Sequence, residues 1–250
     1  MDDKTKILKL KVEENEVAIL QRKDMFTVSL DTILLVNFIK IKNQTKTLID
    51  FGTNNAAIPI LLAKKYPIEI IGVEIQKEAV ELAIKNVALN SLTNQIVIYH
   101  DDIKIYAQEK ANKNQKVDII VCNPPFFPVL QKTNLKLDPL KIAARHEIYI
   151  DLNTIISSAA KLLKDKGKLF MIYNIERLDE LLLALKQYQF AVKRMQVVYP
   201  KIDKKANLVL IEAVFKTNVG MIVEPPLICH NQDNTYNSEI AKWYNRNNIK

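Results

Sequence analysis

What most constrains the fold of this chain is a rhythm of short apolar runs alternating with amphipathic stretches of helical period. The runs are Thr47–Phe51, Glu69–Glu74, 95–100, Val117–Cys122 and 168–173. Between them lie amphipathic stretches at 56–66, 76–92 and 151–163, while 31–39 reads as a helix ahead of the first run, capped by Ser29. Short apolar runs separated by helices are what a parallel sheet covered on both faces requires. Breakers stand where the pattern needs them, with Pro67 after one helix and Asp165-Lys166-Gly167 after another. Further on, Phe190–Tyr199 and 207–215 read as two strands joined by a polar, Lys-rich turn, an antiparallel hairpin rather than another crossover unit. The expected architecture is α/β, a mostly parallel sheet with helices on both faces and a C-terminal antiparallel hairpin. Residues 31–220 form the domain, 1–30 an N-terminal extension and 221–250 a C-terminal tail.

Composition narrows the function classes. No apolar run approaches the roughly 20 residues a membrane helix needs, and Met1-Asp2-Asp3-Lys4 lacks an apolar signal region. Cys122 and Cys229 form no disulfide framework or zinc spacing, and His100, His146 and His230 are scattered, so neither a metal nor a secreted setting is expected. The expectation is a cytoplasmic, metal-free protein, monomeric by default. The net charge of +8 permits a polyanionic partner. It does not require one, because lysine is abundant throughout the chain.

Three strand ends carry acids. The first run leads into Asp50-Phe51-Gly52-Thr53-Asn54-Asn55-Ala56 and then a helix, the turn at which open parallel sheets bind ligands. Gly52 permits close backbone approach, while Asn54 and Ala56 stand where further glycines are usual; Asn tolerates the left-handed conformation best among the other residues. The second run ends in Glu74, about twenty positions on, where a carboxylate can accept both ribose hydroxyls of an adenosine-containing cofactor. The third ends in His100-Asp101-Asp102-Ile103, where a carboxylate can accept from an adenine amine. Any one of these acids is more simply a helix cap, but three in successive units favour a cofactor. No phosphate-loop signature is present, which disfavours a nucleoside triphosphate.

The fourth run ends in Asn123-Pro124-Pro125-Phe126. An exocyclic base amine is a poor nucleophile because its lone pair is delocalised into the ring. A carboxamide oxygen and a fixed carbonyl, from Asn123 and Pro124, can each accept one amine hydrogen and favour a pyramidal nitrogen facing a methyl sulfonium. The prolines lock φ and so hold that carbonyl in place, and Phe126 can stack on the base. A proline-rich loop with two buried aromatics is the plainer alternative in isolation.

These residues, together with Phe26-Thr27-Val28-Ser29-Leu30-Asp31-Thr32, Ala144-Arg145-His146-Glu147, Ala206-Asn207 and Glu224-Pro225-Pro226-Leu227, resemble the bacterial N(6)-adenine methyltransferases that modify the adenine 3′ of the anticodon in tRNA(Val). The resemblance covers nearly the whole chain and implies a Rossmann-like class I methyltransferase with a seven-stranded sheet. It implies S-adenosyl-L-methionine held by Asp50, Gly52, Asn54, Glu74, Asp102 and Asn123, with Asp31 and Thr32 closing over its methionine end. It further implies that Asn123, Pro124, Pro125 and Phe126 hold the base. Arg145 and Glu147 are candidate base or phosphate contacts, or equally an ion pair pinning their loop. Lys132 and Lys136, with Lys201, Lys204 and Lys205 in the hairpin turn, are candidate phosphate contacts to an anticodon loop, although solvated lysines are the simpler reading of each.

The same tetrapeptide occurs in ribosomal RNA guanine-N2 methyltransferases, and with Tyr in enzymes acting on DNA adenine and on a protein glutamine. The last two usually carry an additional domain for which this chain has no counterpart. The guanine enzymes stay open as the alternative, as does a non-catalytic RNA-binding protein whose glycine loop has decayed.

Overall fold

The computed structural model describes residues 5–12, 15–124 and 151–244. The apolar runs become β3 (Thr47–Phe51), β4 (Glu69–Glu74), β5 (Ile96–His100), β6 (Val117–Cys122) and β7 (Leu163–Asn174), followed by the hairpin β8 (Phe190–Tyr199) and β9 (Leu208–Phe215). Their spatial order is β5-β4-β3-β6-β7-β9-β8, parallel from β5 to β7 and antiparallel in the last two pairings. This is the expected sheet. Two short strands, β10 (Ile222–Val223) and β11 (Leu227–Ile228), extend it by pairing in parallel with β8.

Alternation of side chains builds two cores. Leu48, Ile70, Ile119, Val121, Phe170 and Ile172 point to one face, against α1 (Leu30–Phe38), α2 (Ala57–Ala63) and α3 (Lys77–Leu89). Ile49, Val73, Ile120, Leu169, Met171 and Tyr173 point to the other, against α4 (Ile103–Asn112), α5 (Leu152–Leu162) and α6 (Leu178–Gln187). The sheet is covered on both sides, which is why its strands read as unbroken apolar runs.

Both chain ends add to the first core. An N-terminal hairpin, β1 (Thr5–Val12) with β2 (Asn15–Arg22), contributes Leu10, Val17 and Ile19, and the C-terminal helix α7 (Ser238–Tyr244) contributes Ile240. The tail thus packs on the domain rather than trailing from it. One local expectation fails: Ser29 stands at the cap position of α1, but its side chain makes no capping bond. Ser29 instead lines the cavity described next.

Candidate functional site

Strand order reverses at β3, whose neighbours β4 and β6 lie on opposite sides, and ligands in open sheets bind above such a switch point. Register does the rest. Phe51 lies opposite both Val73 and Cys122, so Gly52, Glu74 and Asn123 emerge side by side at the carboxyl edge. Glu74 pairs with His100, which brings Asp101 to the same edge.

These strand ends surround a cavity of about 330 Å³. Its floor and walls include Gly52, Thr53, Asn54, Asn55, Glu74, Asp101 and Asn123, with Ile75 and Ile103 as apolar flanks. Phe26, Thr27, Val28 and Ser29 roof it, and Asp31, Thr32 and Pro124 complete the rim. The roof is tied down at two points: Val28 N donates to Gln21 Oε1 at 3.3 Å and Asn54 Nδ2 donates to Phe26 O at 3.4 Å.

The loop after β3 is built on left-handed backbone. Gly52 has φ 70°, Asn54 φ 49° and Ala56 φ 60°, so two of three such positions are held by residues other than glycine. Strain of about 1–2 kcal/mol is usual for an L-residue there, and here it is carried by a loop bonded on several sides. Asn54 N donates to Glu74 Oε2 at 2.9 Å, and Gly52 N and Thr53 N both donate to Val73 O. A Cβ at Gly52 would meet nothing within 4 Å, so the space beside it is open to a ligand. Gly72 supports the loop from behind, where a Cβ would fall 2.7 Å from Thr53 Cγ2.

Electrostatically the site centres on Asp50, which is buried and whose two carboxylate oxygens lack a hydrogen-bond partner. Burial pushes its carboxyl up to about 8, Thr53 offsets part of this without meeting hydrogen-bond geometry, and the charge of Glu74 adds to the rise. Thr53 Oγ1, Asn54 Oδ1 and Asn55 Nδ2 are likewise buried and unpartnered. Buried polar atoms without partners are costly, and such a cluster marks a place for a polar ligand. Burial also raises Asp31 and, together with Asp50, holds the Cys122 thiol well above its ordinary value.

Glu74 accepts from Asn54 N and from Gln76 N, each at 2.9 Å. A carboxylate offers about four acceptor sites, so two remain for paired hydroxyls. The set fits S-adenosylmethionine: Asp50 and the Gly52 turn for its ammonium end, Glu74 for the ribose, and Ile75, Ile103 and Asp101 for the adenine.

The residues expected from sequence mostly converge. Asp31, Thr32, Gly52, Asn54, Glu74, Asn123 and Pro124 line the one cavity, and Asp50 lies buried beneath the Gly52 turn. Asp102 does not line it. Its Oδ1 caps α4 by accepting from Lys104 N at 2.7 Å and Ile105 N at 3.2 Å, and its neighbour Asp101 faces the cavity instead. Two adjacent acids at a strand end differ in sequence only by which comes first, and the helix start claims the second. Lys201, Lys204 and Lys205 lie in the β8–β9 turn, away from the cavity lining. Pro125, Phe126, Lys132, Lys136, Arg145 and Glu147 fall outside the described residues. Thr53, Asn55, Ile75 and Ile103 also line the cavity without a motif of their own; the first two sit beside the glycine turn, and nothing in the sequence separates the isoleucines from core.

A family model described as a methyltransferase small domain matches residues 16–196. The chain belongs to the methyltransferase small domain family. Among similar proteins, the tRNA1(Val) (adenine(37)-N6)-methyltransferase of Porphyromonas gingivalis is 34% identical over 66% of this chain, which spans 64% of that relative's length. That of Tolumonas auensis is 27% identical over 85% of each chain. The crystal structure of an O-methyltransferase assigned by prediction in Agrobacterium tumefaciens superposes with a TM-score of 0.67 at 16% identity, over 86% of this chain and 95% of that one. This last likeness concerns the fold. Among the described residues there is no helix long and apolar enough to cross a membrane and no cluster of acidic, histidine or cysteine side chains suited to a metal.

Proposed function

We propose that the protein transfers a methyl group from S-adenosylmethionine to the N6 amine of an adenine beside the anticodon of a valine tRNA. The observation that carries this reading is the register of β3 with β6, which sets Asn123 and Pro124 next to the Gly52 turn across one cavity. When bound, the cofactor supplies an electrophilic methyl group on a sulfonium. Asn123 Oδ1 and the Pro124 carbonyl accept the two amine hydrogens and turn the nitrogen lone pair toward that methyl. Holding the amine in this attitude needs no strong base, because the nitrogen sheds its proton after the bond to carbon forms. Roof residues 26–29 and the apolar flanks exclude water from the reacting pair.

The preference for adenine in tRNA follows the names borne by the relatives. An anticodon loop also suits a recessed site, since its bases are already largely unstacked and enter at lower cost than duplex bases. Lys201, Lys204 and Lys205, in the β8–β9 turn, serve as phosphate contacts.

The test is transfer of labelled methyl to tRNA and rRNA lacking native modifications, followed by nucleoside analysis. The expected product is N6-methyladenosine in tRNA(Val), reduced at least about 100-fold by Asn123→Ala, the scale of losing a transition-state hydrogen-bond partner. Methylguanosine in rRNA would keep the amine chemistry and overturn the substrate.

A further inference from the structure

Two asparagines one helical turn apart on α3 join the N-terminal hairpin to the domain. Asn86 Oδ1 accepts from Leu20 N at 2.7 Å, and its Nδ2 donates to Leu20 O at 3.0 Å. Asn90 repeats this with Ala18, accepting at 3.1 Å and donating at 2.8 Å. The spacing explains the match: four residues of helix rise about 6 Å and two residues of strand about 6.6 Å, so the carboxamides meet alternate residues of β2. Each side chain thus stands in for a peptide group of a neighbouring strand, on the edge of β2 that β1 leaves unpaired.

The two differ in one respect. The remaining Nδ2 hydrogen of Asn86, which is fully buried, goes to Asn55 O at 2.9 Å, inside the cofactor loop. The corresponding hydrogen of Asn90 goes to Asn86 O within the same helix. The hairpin also continues into the cavity roof, which Gln21 and Asn54 hold from either side.

We infer that Asn86 is a positioning residue that transmits docking of the N-terminal hairpin to the cofactor loop, making the hairpin part of the methyl-donor site. Asn55 lies between the two left-handed residues of that loop, Asn54 and Ala56. Fixing its carbonyl favours a backbone path that would otherwise relax. The inference rests on the cofactor reading of the cavity and not on which base is methylated.

Asn86→Ala and Asn90→Ala separate the effects, since both loosen the hairpin and only the first frees the loop. With S-adenosylhomocysteine as the probe in calorimetry, Asn86→Ala is expected to raise Kd about tenfold, or about 1.4 kcal/mol, and Asn90→Ala about twofold or less. At saturating S-adenosylmethionine the rate of Asn86→Ala stays near wild type while KM for the cofactor rises. Coupling is reciprocal, so in the wild-type protein the probe should slow hydrogen exchange at the Leu20 amide more than at the Ala18 amide. That measurement decides the matter if Asn86→Ala does not fold. Equal changes in Kd for the two variants, or a Leu20 amide indifferent to the probe, overturn the inference. Loss of tRNA methylation with the Kd pattern intact overturns the substrate reading alone. Failure of the wild-type protein to bind the probe overturns the cofactor reading and this inference together.

Discussion

At the scale of single residues, Asp50 is the group whose state depends most on what fills the cavity. Its carboxyl is raised from 3.8 to about 8, chiefly by burial, with Glu74 adding to the rise and Thr53 opposing it. In the folded protein it holds a proton between about pH 4 and about pH 8, where the unfolded chain has lost it. The unfolded state then binds fewer protons, so this group's contribution makes stability fall as pH rises through that window and level off above it. An ammonium group placed beside it reverses the preference by favouring the carboxylate. Binding of S-adenosylhomocysteine near pH 7 should therefore release a proton, and its affinity should rise between about pH 6 and about pH 7.5, by at most about tenfold per pH unit. Calorimetry in buffers of different ionisation enthalpy measures the proton directly. Asp50→Asn should remove both the pH slope and the buffer dependence; a wild-type affinity that is flat across this range would show that Asp50 does not meet the ammonium.

At the scale of elements, the tail shows what short segments contribute when they complete an edge. β10 and β11 lie along β8, and Leu227, Cys229 and Ile240 are buried in the core shared with α1. Glu224 N donates to Met195 O at 2.8 Å, and the Glu224 carboxylate stands 3.7 Å from Arg194. Arg194 in turn pairs with Glu212, donates to Phe38 O and lies 3.9 Å from the Phe38 ring, joining tail, sheet and α1. Ending the chain after Gly220 removes at least two fully buried aliphatic side chains, worth about 1.5–3 kcal/mol each. The melting temperature should fall by roughly 6–24 °C, at about 2–4 °C per kcal/mol for a domain of this size. A thermal melt unchanged within a degree or two would show that the tail merely rests on the core. The same elements mark the limits of the sequence. Strands β3, β4, β6 and β9 are legible because burial on both faces makes them largely apolar, whereas β5 and β8 leave most of their residues exposed or half-buried and read as strands from their Ile, Val, Tyr and Phe content. Helices α4 and α6 carry a weaker signal: α4 buries only Ile103, Tyr106 and Ala107 and leaves Ile105 exposed among mostly polar residues, and α6 leaves Leu183 exposed. The hairpin β1–β2 alternates Lys with Leu or Val at Lys9-Leu10-Lys11-Val12, a strand pattern, but its docking depends on carboxamides in α3 that no local pattern reveals. In the site, the acids at strand ends were readable and the choice between Asp101 and Asp102 was not, because capping of α4 decides it.

At the scale of the whole molecule, where the charge lies matters more than its total of +8. Because β9 runs antiparallel to β7, Leu208 lies opposite Asn174, and the turn carrying Lys201, Lys204 and Lys205 comes to the same carboxyl edge as Glu74 and Asn123. Lys201 is partly engaged, donating to Gln232 O at 2.9 Å, while Lys204 and Lys205 are exposed. Lys166 and Lys186 are also exposed but lie at the amino edge, beside the starts of β7 and β8. The two pairs therefore allow a matched comparison, since reversing either changes the net charge equally. A polyanion drawn by overall charge would respond alike to both. One bound across the carboxyl edge responds only to the first, because exposed charges beyond about 10 Å are screened at moderate salt. Lys204→Glu with Lys205→Glu should weaken tRNA binding and reduce the slope of log affinity against log salt by about 0.7–0.9 for each phosphate no longer neutralised. Lys166→Glu with Lys186→Glu should leave that slope near wild type, and neither pair should alter the Kd for S-adenosylhomocysteine. Equal slopes in the two double variants would place the RNA elsewhere and leave the lysines of the β8–β9 turn as solvated surface.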